Sequence, residues 1–293
     1  MSTENEPWTV LKVLNWTKGY LAEKGVDNAR LEAEWLLCAE LGLDRVGLYV
    51  NFEKPLQLHE LTALRKTVAR RARREPLQYI LGNQEFMGLE FQVTPAVLIP
   101  RHDTETLVNE AVNRAGDAPR ILDMGTGSGC IAVALAKFLP QSEVTAVDCS
   151  DDSLAVARRN AERNEVNVRF ISGSLFQPLQ EERFDIVVSN PPYIPTADLA
   201  GLQPEVRDFE PRGALDGGTD GLDFYRLIVQ TAPKRLNPGG WLMVEVGIGQ
   251  ADTVQEMFAT AGFMEIFTAK DPGDIQRVVG GRIVAGGTEE TTL

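Results

Sequence analysis

"ILDMGTGSGCIAVALA", residues 121–136, decides how the rest of the chain is read. Its opening residues read as a buried strand, Gly125, Gly127 and Gly129 as a turn, and the stretch from Cys130 as an apolar helix. Glycine takes positive φ and lets a backbone approach a ligand closely, and the following helix start presents free N–H groups. Nineteen residues after Gly129, Asp148 closes the next strand candidate, where a carboxylate can accept two hydrogen bonds from a ribose diol. Loop and acid together point to an adenosine-type cofactor. Which one stays open: the dinucleotide spacing fails from Gly125, because position 130 is Cys, but Gly127, Gly129 and Ala132 satisfy its G/A variant.

Working outward, strands and helices alternate from residue 120 onward. Strand candidates are 120–124, 143–148, 167–172, 184–189, 241–246, 263–269 and 277–284, with helices expected over 129–139, 151–164, 221–236 and 250–261. Such alternation predicts a mainly parallel sheet covered on both faces. Only a short turn around Pro272 and Gly273 joins the last two strands, so they must pair antiparallel at one edge.

Upstream the texture differs. Val10, Leu11, Leu14, Thr17 and Leu21 recur at helical spacing, as do Leu31, Trp35, Leu36 and Ala39, and then Leu58, Leu61, Leu64 and Val68. Residues 1–80 are therefore expected as a small helical domain, with no cluster of catalytic residue types. Its last helix carries Arg70, Arg71, Arg73 and Arg74, for which a solvated helix face outweighs a docking patch. Residues 81–100, with Phe86, Leu89, Phe91 and Val93 between glycines, read as a β-hairpin linker. A helix capped by Asp103 or Thr104 then opens a catalytic domain over 101–293.

Composition sets limits. Of 293 residues, 43% are hydrophobic and 24% charged, which predicts a packed core. A net charge of -13 disfavours a protein that grips phosphate backbones, so no direct nucleic-acid partner is expected. Three cysteines without CxxC spacing and two histidines give no metal cluster. The N-terminus is polar and acidic, and no apolar run is long enough for a membrane. A cytoplasmic monomer is the expectation.

"DIVVSNPPYIP", 185–195, ends a core strand on Asn190, Pro191, Pro192 and Tyr193. Prolines stop strands, which is the bland reading. A strand tip offering acceptors beside a flat ring also suits a substrate that brings an NH2 group. "LDMGTGSGC", "VDCS" and "SNPPYI", in this order, resemble the class I S-adenosylmethionine-dependent methyltransferases that act on planar amino or amide nitrogens. "REPLQYILGNQEFMGLEFQVTPAVLIPRHDTETLV" (74–108) and "EPRGALDGGTDGLDFYRLI" (210–228) narrow the resemblance to the release factor glutamine methyltransferase family. It covers nearly the whole chain.

The resemblance implies a Rossmann-like seven-stranded α/β sheet with an antiparallel edge hairpin, preceded by the helical bundle. The bundle would recognise the substrate, class-1 peptide chain release factors, whose Gly-Gly-Gln glutamine would be methylated on N5. Gly125, Thr126, Gly127, Ser128 and Gly129 would hold the methionine end of S-adenosylmethionine, Asp148 its ribose, and Leu175 or Phe176 its adenine. Asn190 would bridge cofactor and substrate, Asn190, Pro191, Pro192 and Tyr193 would bind the glutamine, and Asn190, Pro191 and Tyr193 would serve the chemistry. His102 departs from the family, which usually has Pro there, and some members carry a larger aromatic at 175. Glu245, Arg101 and the Glu210–Arg212 loop lie near the expected site without an assigned role. A DNA adenine or cytosine amino-methyltransferase shares the strand-tip motif, but the acidic charge opposes it. A nicotinamide-dependent dehydrogenase accounts for the glycine turn and leaves Asn190 to Tyr193 without a task. A non-enzymatic binding module would need neither motif intact.

Overall fold

Burial of the apolar faces read above generates two compact units in the computed structural model, which describes residues 7–284. Residues 1–6 and 285–293, the outer ends of the two expected domains, lie outside the described residues. One unit comprises the described part of Met1–Gly82 together with Gln203–Phe209; the other comprises Asn83–Leu202 and the described part of Glu210–Leu293.

In the first unit, helices Val10–Glu23, Ala29–Leu41 and Leu58–Arg71 turn Val10, Val13, Leu14, Ala33, Leu37 and Leu64 into one core. Short helices Arg45–Val50 and Leu77–Leu81 complete the N-terminal part. Gly42, at φ 63, ends the second helix in the left-handed conformation that suits glycine. The arginine run is mostly not a solvated face, which corrects the sequence expectation. Arg71 is 4% exposed and pairs with Glu32 and, at 2.9 Å, with Glu205. Arg74 reaches Glu205 at 2.7 Å and Arg70 holds Glu75, leaving Arg73 exposed. The anion that reverses the expectation comes from helix Pro204–Phe209, far along the chain. Local periodicity carries no sign of it.

The second unit contains two sheets. Strands β1 (Asn83–Phe86) and β2 (Leu89–Gln92) form a hairpin. Rather than a free linker, it is part of this unit's core: Phe86 and Phe91 are fully buried with residues of helices Glu105–Arg114 and Cys130–Phe138. The large sheet comprises β3 (Arg120–Met124), β4 (Glu143–Asp148), β5 (Arg169–Ser172), β6 (Phe184–Ser189), β7 (Leu236–Glu245), β8 (Met264–Lys270) and β9 (Gln276–Arg282). Their order is β5-β4-β3-β6-β7-β9-β8. The first five are parallel, and β9 slots antiparallel between β7 and β8, as the short final turn requires.

Side chains alternate across the sheet as strand geometry dictates. Leu122, Met124, Val187, Leu242 and Val244 pack under helices Asp223–Thr231 and Ala251–Thr260. Ile121, Ile186, Val188 and Met243 pack on the opposite face. β7 begins at Leu236, earlier than expected, because Asn237-Pro238-Gly239-Gly240 runs on through a register shift rather than turning away. The chain goes β3, β4, β5 in one direction and then returns to place β6 on the other side of β3. That reversal opens a crevice at the carboxyl ends of the strands, where sheets of this kind take ligands.

Candidate active site

The crevice holds a cavity of about 220 Å³. Gly125 and Gly127 line it from the turn after β3, Asp148 and Ser150 from the end of β4, Leu175 from beyond β5, and Asn190, Pro191 and Pro192 from the tip of β6. Leu98, Pro211, Ala214 and Phe224 close its sides. A wider hollow of about 840 Å³ lies at the other end of the sheet, among Arg120, Glu143, Arg169 and Glu182. Its charges already pair with one another, and it faces the strands' amino ends, so the smaller cavity is the chemical one.

Gly125, Gly127 and Gly129 have φ of 70, 55 and 82, which no β-branched side chain would tolerate. A Cβ placed on Gly125 would meet nothing within 4 Å, so the turn leaves open space for a ligand. The Asp148 carboxylate fixes this turn: Oδ2 accepts from Gly127 N at 2.8 Å and Oδ1 from Ser150 N at 2.9 Å. A carboxylate accepts about four hydrogen bonds, so capacity remains for a diol. Thr126 and Ser128 turn inward instead. Thr126 Oγ1 donates to Asp123 Oδ2 at 2.6 Å, and the Ser128 carbonyl accepts from Asn160 at 2.8 Å. Gly129 caps the helix that follows.

Of the pair expected at the adenine, Leu175 lines the cavity, in a left-handed backbone at φ 49, while Phe176 is buried in the apolar core. A non-glycine residue in that conformation costs energy and tends to mark a constrained site. Asp123, which sequence reading passed over, is fully buried beneath the turn with Oδ1 lacking a partner. Burial pushes its carboxyl up to about 7, against the opposing Thr126 hydroxyl and Ala132 N–H and with help from the Asp148 charge.

At the tip of β6, Ser189 Oγ donates to the Met124 carbonyl at 2.8 Å and pins β6 to β3. Asn190 Nδ2 donates to Thr104 Oγ1 at 3.1 Å, so its Oδ1 is left as the acceptor. The next residues are held by the 214–221 loop: Ile194 N reaches the Leu215 carbonyl at 3.0 Å, and Gly217 N the Ile194 carbonyl at 2.8 Å. Gly217 must lack a side chain, since a Cβ would lie 2.8 Å from the Pro192 carbonyl oxygen. Tyr193 does not line the cavity. Its ring packs on the core, its carbonyl accepts from Gln250 at 2.9 Å, and burial followed by the Glu245 charge pushes the phenol up to about 12. It is therefore neutral and no base.

Arg101 pairs with Glu210, which also accepts from Ile99 N, so the role of both is to hold the loop from Pro211 against the cavity. His102, the departure from the family pattern, points outward beside Glu105 at 3.1 Å and leaves the turn His102–Thr104 intact. Glu245 ends β7 at 1% exposure, and its Oε2 has no hydrogen-bond partner. Burial pushes this carboxyl up to about 7, opposed by the Thr104 hydroxyl, Arg277 and Asn190 and reinforced by Asp103. Among the described residues no group of His, Cys, Asp or Glu could hold a metal, and no helix is long and apolar enough to cross a membrane.

A seven-stranded sheet of this order, with a glycine turn after β3 and an acid at the end of β4, defines a class I S-adenosylmethionine-dependent methyltransferase. A methyltransferase from Pyrococcus furiosus shares the fold, with TM-score 0.51 and 21% identity over 68% of this chain and 91% of that one. Residues 12–82 match the PrmC N-terminal domain and residues 102–200 the methyltransferase small domain. The release factor glutamine methyltransferase of Geobacter sulfurreducens is 68% identical over 97% of this chain and all of that protein. Its counterpart from Chlorobaculum tepidum is 42% identical over 94% of this chain and 97% of its own length. The chain belongs to the release factor glutamine methyltransferase family.

Proposed function

We propose that this protein methylates the side-chain amide nitrogen, N5, of the Gly-Gly-Gln glutamine in class-1 peptide chain release factors, in the cytoplasm where those factors act. The observation that carries this reading is the Asn190 carboxamide at the cavity wall, with Nδ2 engaged by Thr104 and Oδ1 left to accept. S-adenosylmethionine supplies a methyl group already activated on a sulfonium. The cavity suits it: the open turn at Gly125 and Gly127 admits a backbone-hugging ligand, Asp148 keeps acceptor capacity, and Leu175 presents an apolar wall. Thr126, Ser128 and Gly129 support that turn from behind, as Phe176 supports Leu175.

An amide nitrogen is a weak nucleophile, because its lone pair is delocalised into the carbonyl. The protein's contribution is orientation. Asn190 Oδ1 and the Pro191 carbonyl each accept one N–H of the glutamine, which fixes the direction of the nitrogen lone pair. As the amide loses planarity its N–H groups become more acidic, so the same acceptors bind the transition state more tightly. Pro191 and Pro192 bring no backbone N–H to compete for them. Tyr193, neutral and anchored through its carbonyl, gives the segment a fixed apolar flank.

The helical unit holds none of these groups, which supports assigning it to the protein substrate. A protein lacking residues 1–82 should still bind S-adenosylmethionine in calorimetry but lose most of its kcat/KM on an intact release factor. The decisive assay incubates the full chain with S-adenosylmethionine and a release factor and maps the added methyl by peptide mass. A single methyl on the Gly-Gly-Gln glutamine is expected; a methyl elsewhere, or on DNA, overturns the reading.

A further inference from the structure

A carboxamide has two nearly isosteric ends, and only one of them serves a substrate that brings N–H groups. If Asn190 were turned by half a revolution about its last torsion, it would present donors to a donor and repel the glutamine. Something must choose between the ends. Thr104 Oγ1, which accepts from Asn190 Nδ2 at 3.1 Å, cannot choose alone. A hydroxyl both donates and accepts, so it can satisfy either end. An ionised carboxylate only accepts. Glu245 meets both groups, since the Thr104 hydroxyl and the Asn190 side chain each favour its charged form. Glu245 is buried at the end of β7, and an ionised carboxylate there would accept the Thr104 hydrogen, leaving the Thr104 lone pairs to Asn190 Nδ2, the end that Thr104 Oγ1 already holds.

We propose that Glu245, acting through Thr104, is the positioning residue that sets the Asn190 carboxamide with its oxygen toward the glutamine. The inference rests on the function proposed above. The unpartnered Oε2 fits it: a carboxylate kept for fold stability alone would be expected to have both oxygens satisfied, as buried polar groups generally are. The groups facing Glu245 do not supply that second partner. Arg277 on β9 is committed to Asp103 at 2.7 Å and Asp271 at 2.9 Å. Tyr225 donates its hydroxyl to the Glu245 backbone carbonyl at 2.9 Å, and neither Tyr193 nor Cys130 is ionised near neutral pH. Protonated Glu245 would instead donate to Thr104 and send the Thr104 hydrogen toward Asn190, which favours the wrong end. Because this carboxyl titrates at about 7, kcat should fall as pH drops through that value.

Three variants test the proposal: Glu245→Gln, Thr104→Val and Thr104→Ser. The first two should lower kcat on a release factor by on the order of 10², with KM and the S-adenosylmethionine Kd nearly unchanged. Thr104→Ser, which keeps the hydroxyl, should retain most of the rate, whereas a purely structural role would be met by the isosteric valine. Glu245→Gln should also flatten the acid limb of the kcat profile, and in an Asn190→Ala background it should cost little more. If Glu245→Gln does not fold, judged by circular dichroism, the Thr104 pair still decides. Wild-type kcat in Thr104→Val, or an unaltered pH profile in a folded Glu245→Gln, overturns the positioning role. Normal turnover by Asn190→Ala itself would instead overturn the underlying reading of Asn190.

Discussion

The two units bury carboxylates in opposite ways. In the helical unit Glu34, 1% exposed, accepts from Arg30, from Arg45 at 2.7 Å and from Tyr49 at 2.7 Å. Burial raises its pKa, but those three donors outweigh the burial and hold the carboxyl below its ordinary value. In the other unit Asp123 and Glu245 are equally buried, each keeps one oxygen without a partner, and both are pushed up to about 7. A buried charge with full partners is a structural rivet. A buried charge short of partners persists where function requires it.

Breaking a rivet should therefore act on folding and not on chemistry, and should be the largest effect. Arg71→Met leaves Glu32 and Glu205, both mostly buried, without their shared cation. It should destabilise the helical unit by about 3–5 kcal/mol, seen as an early transition in calorimetric melting. S-adenosylmethionine binding should stay intact, and a concerted loss of both would show that the two units do not divide the labour.

Asp148→Ala acts on the ligand side and should be smaller. It removes a charged acceptor from the cavity and also releases Gly127 N and Ser150 N. The expected loss of S-adenosylmethionine affinity is about 1.5–3 kcal/mol, read by titration calorimetry. Unchanged affinity would mean that Asp148 only shapes the turn.

The smallest effect sharpens the contrast through pH. Glu245 has a folded-state value of about 7 against an ordinary 4.5, so the folded state holds its proton longer than the unfolded state does. Its contribution to stability is complete below about 4.5 and is lost as pH rises through about 7. The melting temperature of Glu245→Gln relative to wild type should therefore climb across that window and level off on either side. Glu34→Gln should show the reverse slope at lower pH, because that carboxyl is held down. Parallel curves for the two variants would remove the distinction between the units.

What was legible in the sequence follows from this contrast. Regular alternation of strands and helices brings the carboxyl ends of the parallel strands to one edge, which placed Gly125 and Asp148 together, and the family resemblance of the strand-tip motif added Asn190. The edge pairing of β8 and β9 followed from the shortness of their turn. Contacts between distant segments were not legible. Arg71 looked solvated because Glu205 lies 134 residues away. Thr104 read only as a helix cap, although its hydroxyl meets Asn190, 86 residues on. Leu175 and Phe176 could not be told apart, since a left-handed backbone at Leu175 decides which of them faces the cavity. Residue 236 was expected to end a helix and 241 to open the strand, whereas the sheet carries 236–240 as strand.

The carboxamide of Asn190 acts chiefly by orienting the glutamine nitrogen, and its contact with the cofactor is the lesser part of its role. Single-turnover methyl transfer to a release factor, measured for wild type and Asn190→Ala beside the S-adenosylmethionine Kd, tests it most directly. The expected rate is lower by on the order of 10²–10³, with a Kd changed by no more than about twofold, a difference under RT in free energy. Near-normal transfer, or a loss explained wholly by weakened S-adenosylmethionine binding, would contradict it.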